Sequence, residues 1–419
     1  MTFLINTLGC KVNTYESNVM RDILLNEGYK EVNENADIAI VNTCTVTNKS
    51  DSKSLKIIKQ TIKNNPGSIL IVTGCFSQIN PERLKDMDGV SIVLGNHGKT
   101  KILDYIHKYT ETKKQIIDVT VLDDKKFECM SLNNFNKTRS FVKIEDGCEN
   151  FCSYCIIPYS RGKVRSKNVE DVLSEIKTLI KNGHREIVLT GIHTGHYGSD
   201  INYDFSHLLT EICKIDGLER LRISSIEITE LDDLFLQVLK DNKIIVDHMH
   251  IPLQSGCDKT LKAMNRKYDI NYFIDKINKI RNIRPNISIS TDVIVGFPGE
   301  TDEDFMITIQ NIQKIKFTKI HVFPFSVRKG TVAETLSDHV SETIKKERVH
   351  TLLNISKELE IEYMEKFVGT EVYFIPETEK DGYIIGHTGN FLIIKSKHAF
   401  TSETVKTKIK KIEYPYCLD

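Results

Sequence analysis

Short apolar runs alternate with amphipathic stretches along most of the chain. Residues 2–6, 38–41 and 69–72 read as strands, and residues 17–27 and 52–63 as helices. Runs that are apolar at successive positions suit strands buried on both faces, so an α/β domain with an open parallel sheet is expected at the N-terminus. The alternation resumes with predicted strands at 141–144, 186–189, 220–223, 248–251, 287–291 and 319–322. Predicted helices at 169–181, 205–214, 231–240, 270–282 and 302–315 separate them. This pattern predicts a barrel-like α/β domain whose site gathers at the C-terminal ends of its strands. After a long helix over 341–366, short strands at 371–375, 383–386, 391–394 and 405–412 predict a small antiparallel β-barrel of four or five strands. The expected organisation is residues 1–110, a polar linker 111–139 with one edge strand, 140–367, and 368–419. A linker of that length allows the first two domains to move relative to each other.

Cysteine placement sharpens this picture. The chain starts without the basic and apolar segments of a signal peptide, and no apolar run approaches membrane-spanning length. A cytoplasmic location and no membrane partner are therefore expected. In that setting the 10 cysteines are ligands or buried thiols rather than disulfides. Cys148, Cys152 and Cys155 share one loop, and a three-cysteine set leaves one iron of a [4Fe-4S] cluster open to a small molecule. A zinc knot is the alternative, but no histidine lies between Asp146 and Arg161 to complete it.

Each N-terminal strand also runs into a cysteine: Thr7-Leu8-Gly9-Cys10, Asn42-Thr43-Cys44 and Thr73-Gly74-Cys75. Parallel strands place these ends on one edge, so the three cysteines are expected to converge unless they are unrelated buried thiols. Cys129, Cys213, Cys257 and Cys417 lack ligand spacing.

Lys plus Arg and Asp plus Glu are equal at 57 each, so any nucleic-acid site must come from local clustering. Lys49, Lys53, Lys56, Lys59 and Lys63 line one predicted helix face, either as a solvated stripe or as a phosphate contact. Lys395, Lys397, Lys406, Lys408, Lys410 and Lys411 are opposed in their segment only by Glu403. Arg161, Lys163, Arg165 and Lys167 follow the cysteine loop.

The three-cysteine loop with Tyr154 before its last cysteine resembles the signature of radical S-adenosylmethionine (SAM) enzymes. With the second cysteine set, the whole layout resembles the methylthiotransferase family. The resemblance implies a partial six-unit barrel and a C-terminal TRAM domain. It also implies two [4Fe-4S] clusters: a catalytic one on Cys148, Cys152 and Cys155 that binds SAM, and an auxiliary one on Cys10, Cys44 and Cys75. Tyr154, Gly191, Gly195, Ser225, Glu227, Gln254, Asp292, Val295 and Gly296 are implied SAM contacts. Arg161, Arg165 and the six C-terminal lysines are implied contacts to a tRNA anticodon stem-loop. A flavodoxin or ferredoxin is the implied electron donor. Cys10-Lys11-Val12-Asn13 and Gly191-Ile192-His193-Thr194-Gly195 resemble the branch that methylthiolates C2 of N6-threonylcarbamoyladenosine at tRNA position 37. The alternatives are the isopentenyladenosine and ribosomal-protein aspartate branches. Outside enzymes, the alternative is an iron-sulfur RNA-binding redox sensor.

Overall fold

The computed structural model describes residues 1–419 apart from 86, 123, 124, 134, 136, 137 and 402. The chain opens with a 6-stranded sheet in the order β2-β1-β3-β4-β5-β6. Its strands are β1 (Thr2–Thr7), β2 (Lys30–Glu31), β3 (Ile38–Thr43), β4 (Ile69–Gly74), β5 (Ile92–Leu94) and β6 (Ile116–Asp118), all paired in parallel. Helices α1 (Lys11–Asn26), α2 (Asn48–Asn64), α3 (Cys75–Ile79) and α4 (Ile102–Thr112) connect them. Strand alternation sends Phe3, Ile38, Ile40 and Ile71 to a core shared with α1 and α4. Leu4, Val41, Leu70 and Val72 pack on the opposite face with Ile58 of α2. Burial on both faces is why these strands read as unbroken apolar runs.

Two expectations change here. The first helix starts at Lys11 rather than near residue 17, because its first turns bury polar Asn13, Glu16 and Ser17 among apolar Val12 and Tyr15. Strand β6 comes from the expected linker, so the N-terminal sheet extends past residue 110. Residues 123, 124, 134, 136 and 137 of that linker lie outside the described residues.

The central region contains β7 (Arg139–Lys143), a short pair β8 (Glu145–Asp146) and β9 (Arg165–Ser166), then β10 (Glu186–Thr190) and β11 (Arg220–Ile223). It continues with β12 (His248–His250), β13 (Ser288–Val295) and β14 (Lys319–Pro324). Two parallel sheets, β11-β10-β7 and β12-β13-β14, are joined through the parallel bridges Leu221–Ile245 and Ser225–His250. They form a curved wall, a half-barrel open along β7 and β14. The connecting helices are α5 (Ile157–Arg161), α6 (Val169–Lys181), α7 (Phe205–Ile212), α8 (Asp233–Asp241), α9 (Asp258–Ala263), α10 (Ile270–Ile283) and α11 (Asp302–Ile315). On the β14 side lies α12 (Glu342–Glu365), where Ser356 Oγ accepts from Ile320 N at 2.9 Å.

On the β7 side, α1 covers the opening. Tyr15 and Val19 join the central core, and Tyr15 Oη donates to Glu175 at 2.9 Å. Two residues of the first domain are therefore packed into the core of the second, which opposes the freedom expected of their linker.

The tail comprises β15 (Glu371–Lys380), β16 (Tyr383–Thr388), β17 (Ile393–Ser396), β18 (Val405–Lys408), β19 (Lys411–Glu413) and β20 (Tyr416–Leu418). They form a curled 6-stranded sheet in the order β18-β15-β16-β17-β20-β19, with β17 and β20 parallel. Phe391, in the turn before β17, plugs the base of the half-barrel. It stacks on His248 at 4.7 Å and lies beneath Arg222 at 4.8 Å.

Candidate active site

Register delivers the first cysteine set. Thr7 pairs with Asn42 and Thr43 with Gly74, so Cys10, Cys44 and Cys75 leave one edge of the sheet together. A Cβ added to Gly9, at φ +98°, would lie 2.8 Å from Cys44 Cβ. Burial pushes the Cys10 thiol up and the Cys44 thiol to about 11, with the neighbouring thiols adding repulsion. Cys75 Sγ accepts from Arg161 Nε at 3.3 Å and from Asn96 Nδ2 at 3.6 Å.

The second set is held by its own loop. Cys148 N donates to Gly162 O at 3.0 Å and Cys155 N to Cys152 O at 2.9 Å. Gly147 sits at φ +99°, where an added Cβ would run into Lys163 O. Burial raises the Cys148 thiol strongly and the Cys155 thiol to about 12. Arg266 Nη1 donates to Cys152 Sγ at 3.3 Å and pairs with Glu227.

These donor sets fit a polynuclear cluster better than a single zinc ion. Sulfurs around one tetrahedral zinc, each at about 2.3 Å from the metal, lie within about 4 Å of one another. Among the described residues, only His193, His196 and Glu230 bring three ligand atoms within 4.8 Å, so neither cysteine set meets that spacing. The raised thiols would each release a proton to solvent on ligating a cluster.

The surrounding charge points the same way at Cys75. Among the described residues, Lys99, Lys143, Arg161 and Arg165 surround only two carboxylates, Glu16 and Asp146, and all six side chains are at most 8% exposed. Arg161 Nη1 meets Glu16 at 2.6 Å and Lys143 Nζ meets Asp146 at 2.7 Å. Burial alone would push Glu16 up, but Arg161, Lys143 and Lys99 together hold it well below the usual range. Excess positive charge in a buried site calls for an anionic neighbour, such as thiolates carrying iron.

This network corrects one expectation. Arg161 is fully buried and Arg165 nearly so, both engaged with Asp146, so neither presents a surface to RNA. Lys167 is likewise buried against Glu175, leaving only Lys163 of that basic stretch exposed.

The expected SAM residues separate into two groups. Tyr154 packs on Met264, Phe297 and Phe325 beside the cysteine loop. Glu227 is paired with Arg266, and Asp292 faces His250 Nε2 at 3.2 Å. Ser225 bridges to His250, and Gln254, at φ +63°, bridges to Val293. The glycines serve close packing: a Cβ on Gly191 would meet Glu145, one on Gly195 Glu230, and one on Gly296 Lys345 Cγ at 2.4 Å. Val295 is buried in the core. Sequence reasoning missed Arg266, Asn96 and Glu16. A lone arginine, an asparagine and a helical glutamate carry no signal until the fold places them beside the cysteines.

The C-terminal lysines are exposed except Lys395, which is half-buried. Lys395 Nζ lies 4.3 Å from the Tyr383 ring and Lys406 Nζ 5.9 Å from the exposed Tyr373 ring. Charge beside exposed rings suits a sequence-tolerant single-stranded surface. The five lysines of α2 are also exposed.

Comparison with known proteins agrees with this geometry. Residues 142–312 match the Radical SAM superfamily, and residues 2–95 match the family described as Uncharacterized protein family UPF0004. The chain is 41% identical to the threonylcarbamoyladenosine tRNA methylthiotransferase MtaB of Bacillus subtilis, over 99% of this chain and 95% of that protein. It is 40% identical to the MtaB protein of Thermotoga maritima, over 88% and 85%. A tRNA-2-methylthio-N(6)-dimethylallyladenosine synthase of Clostridium botulinum is 36% identical over 85% and 82%. The solved radical SAM methyltransferase TsrM of Kitasatospora setae, with cobalamin and a [4Fe-4S] cluster bound, overlays with a TM-score of 0.57 at 14% identity, covering 77% of this chain and 71% of that one. That likeness bears on fold. No helix among the described residues is long and apolar enough to cross a membrane.

Proposed function

The chain belongs to the radical SAM methylthiotransferase family, and on that premise we propose that it methylthiolates C2 of N6-threonylcarbamoyladenosine at position 37 of tRNA. The observation that carries the two-site reading is Arg161. It follows the Cys148–Cys155 loop through α5 and donates to Cys75 Sγ at 3.3 Å, tying the loop of one cysteine set to a ligand of the other. When bound, a SAM-binding cluster on Cys148, Cys152 and Cys155 supplies one-electron reduction, and a second cluster on Cys10, Cys44 and Cys75 supplies a place to hold sulfur. The protein's own part is to orient and enclose. Arg266 holds the Cys152 side, Asn96 and Arg161 hold the Cys75 side, and Tyr154 offers an aromatic face beside the loop. C-terminal lysines next to Tyr373 and Tyr383 hold RNA phosphates, and the half-barrel takes one unstacked base.

The substrate assignment is supported by the 41% identical relative. Mass spectrometry of nucleosides from total tRNA tests it, comparing cells without the gene and cells with it restored. The 2-methylthio-threonylcarbamoyl nucleoside should vanish and return with the gene. Loss of the isopentenyl analogue instead would move the assignment to the other tRNA substrate.

A further inference from the structure

Lys11 follows Cys10 directly and its side chain retains accessible surface. It lines a hollow of about 380 Å³ inside the half-barrel, together with Arg139, Arg222, His248, His250 and Phe391. Its charged neighbours are Arg222 and Arg139, which repel it, and the adjoining Cys10 and Asp292, which attract it, the latter held by His250 at 3.2 Å. Lys319 in the same wall is paired with Glu360 at 2.5 Å and Arg139 with Glu377 at 2.9 Å. Lys11 has no such pairing among the described residues.

Arg222 offers a second, independent sign. It is 2% exposed and its Nε donates to Glu186 at 2.6 Å, yet both Nη1 and Nη2 are buried without a partner among the described residues. Two unsatisfied guanidinium nitrogens in a buried wall are costly unless an acceptor fills the space before them. Their fork matches a carboxylate. The hollow thus presents one unpaired ammonium and one half-used guanidinium to an absent anion.

We propose that Lys11 and the free nitrogens of Arg222 bind the carboxylate of the threonylcarbamoyl group and so decide which adenosine derivative is accepted. This rests on the substrate reading above. In adenine, C2 and C6 flank the same ring nitrogen, so the reacting carbon and the chain on N6 share one edge. A base presenting C2 to the group held by Cys10 therefore brings its N6 chain toward the next residue, Lys11. An isopentenyl chain has no anion and would leave both cations unsatisfied.

The test uses the reconstituted full chain and anticodon stem-loops carrying threonylcarbamoyladenosine, its carboxylate methyl ester or isopentenyladenosine. With the unaltered protein, esterification should raise KM about tenfold to a hundredfold, the worth of one charged hydrogen-bond pair. Lys11→Met should raise KM for the free acid to the same level and make the ester no worse, while KM for SAM stays put. Equal affinity of the unaltered protein for acid and ester would overturn the proposal and assign the cations to backbone phosphate. A raised KM for SAM in Lys11→Met would overturn it in favour of the SAM carboxylate. The ester comparison needs no variant, so a misfolded Lys11→Met cannot mask the answer. If the unaltered protein modifies only the isopentenyl loop, the substrate reading itself has failed. If it modifies the threonylcarbamoyl loop without distinguishing the ester, only the receptor has.

Discussion

Cys148, Cys152 and Cys155 share one loop, whose backbone is also tied through Ser153 to Met264 and Ala333, whereas Cys10, Cys44 and Cys75 come from three strands and meet only through sheet register. The surroundings differ as well. The loop is touched by one arginine, Arg266, while the convergent set abuts a buried network of four cations and two carboxylates that spans two domains. The loop cysteines are neighbours along the chain, but the convergent ones come together only when β1, β3 and β4 pair in register. Damage to packing should therefore reach the convergent site first.

The largest effect that would break this comparison is on the loop itself. Cys148→Ala should abolish formation of 5′-deoxyadenosine from SAM, measured by chromatography under reducing conditions; persistent cleavage would remove the loop's assigned role. Next comes Arg161→Leu, which leaves Glu16 and Asp146 each with one fewer hydrogen-bonded partner. Its expected cost is about 3–5 kcal/mol in urea unfolding, against about 1 kcal/mol for Asn96→Ala.

A pH comparison sharpens the contrast between neighbouring carboxylates. Glu16 is held well below its ordinary range, so its contribution is complete above about pH 4.5 and fades as pH falls further. Burial holds Glu145 well above that range, so its contribution is complete at low pH and fades as pH rises through its folded value. Glu145→Gln should gain stability relative to the unaltered protein as pH rises above about 4.5, whereas Glu16→Gln should lose it as pH rises toward about 4.5 and lose no more above that. Thermal unfolding across pH 3–8 checks both signs. The smallest effect is at the tail: Lys406→Gln should lower the salt slope of log K for stem-loop binding by about 0.7–0.9 if it meets one phosphate.

Much of the fold and of the two cysteine sets is legible in the order of residues alone. The apolar runs mark β3 and β4 because both faces are buried, and Thr301 with Asp304, a capping box in the structure, opens α11 where the pattern begins. The loop cysteines are visible from their spacing. The convergent cysteines are visible only because each ends a strand of the same kind. What stays hidden depends on burial that composition does not record. The buried side of the first turns of α1 mixes polar Asn13, Glu16 and Ser17 with Val12 and Tyr15, so apolar periodicity places the helix start too late. Arg161 and Arg165 carry the same charge as an RNA-facing stretch, and only the fold shows that Glu16 and Asp146 claim it. In the sequence Lys11 is one residue of a signature, and its place in the hollow follows from α1 closing the open side of the half-barrel.

The central claim is that this chain holds two clusters with divided work. Iron content and SAM cleavage, measured together on anaerobically reconstituted protein with Cys10, Cys44 and Cys75 changed to alanine, test it most directly. The account predicts a fall from about eight irons to about four, with 5′-deoxyadenosine still formed and no methylthiolated product. A triple variant that keeps its full iron, or one that loses SAM cleavage while keeping about four irons, would contradict it.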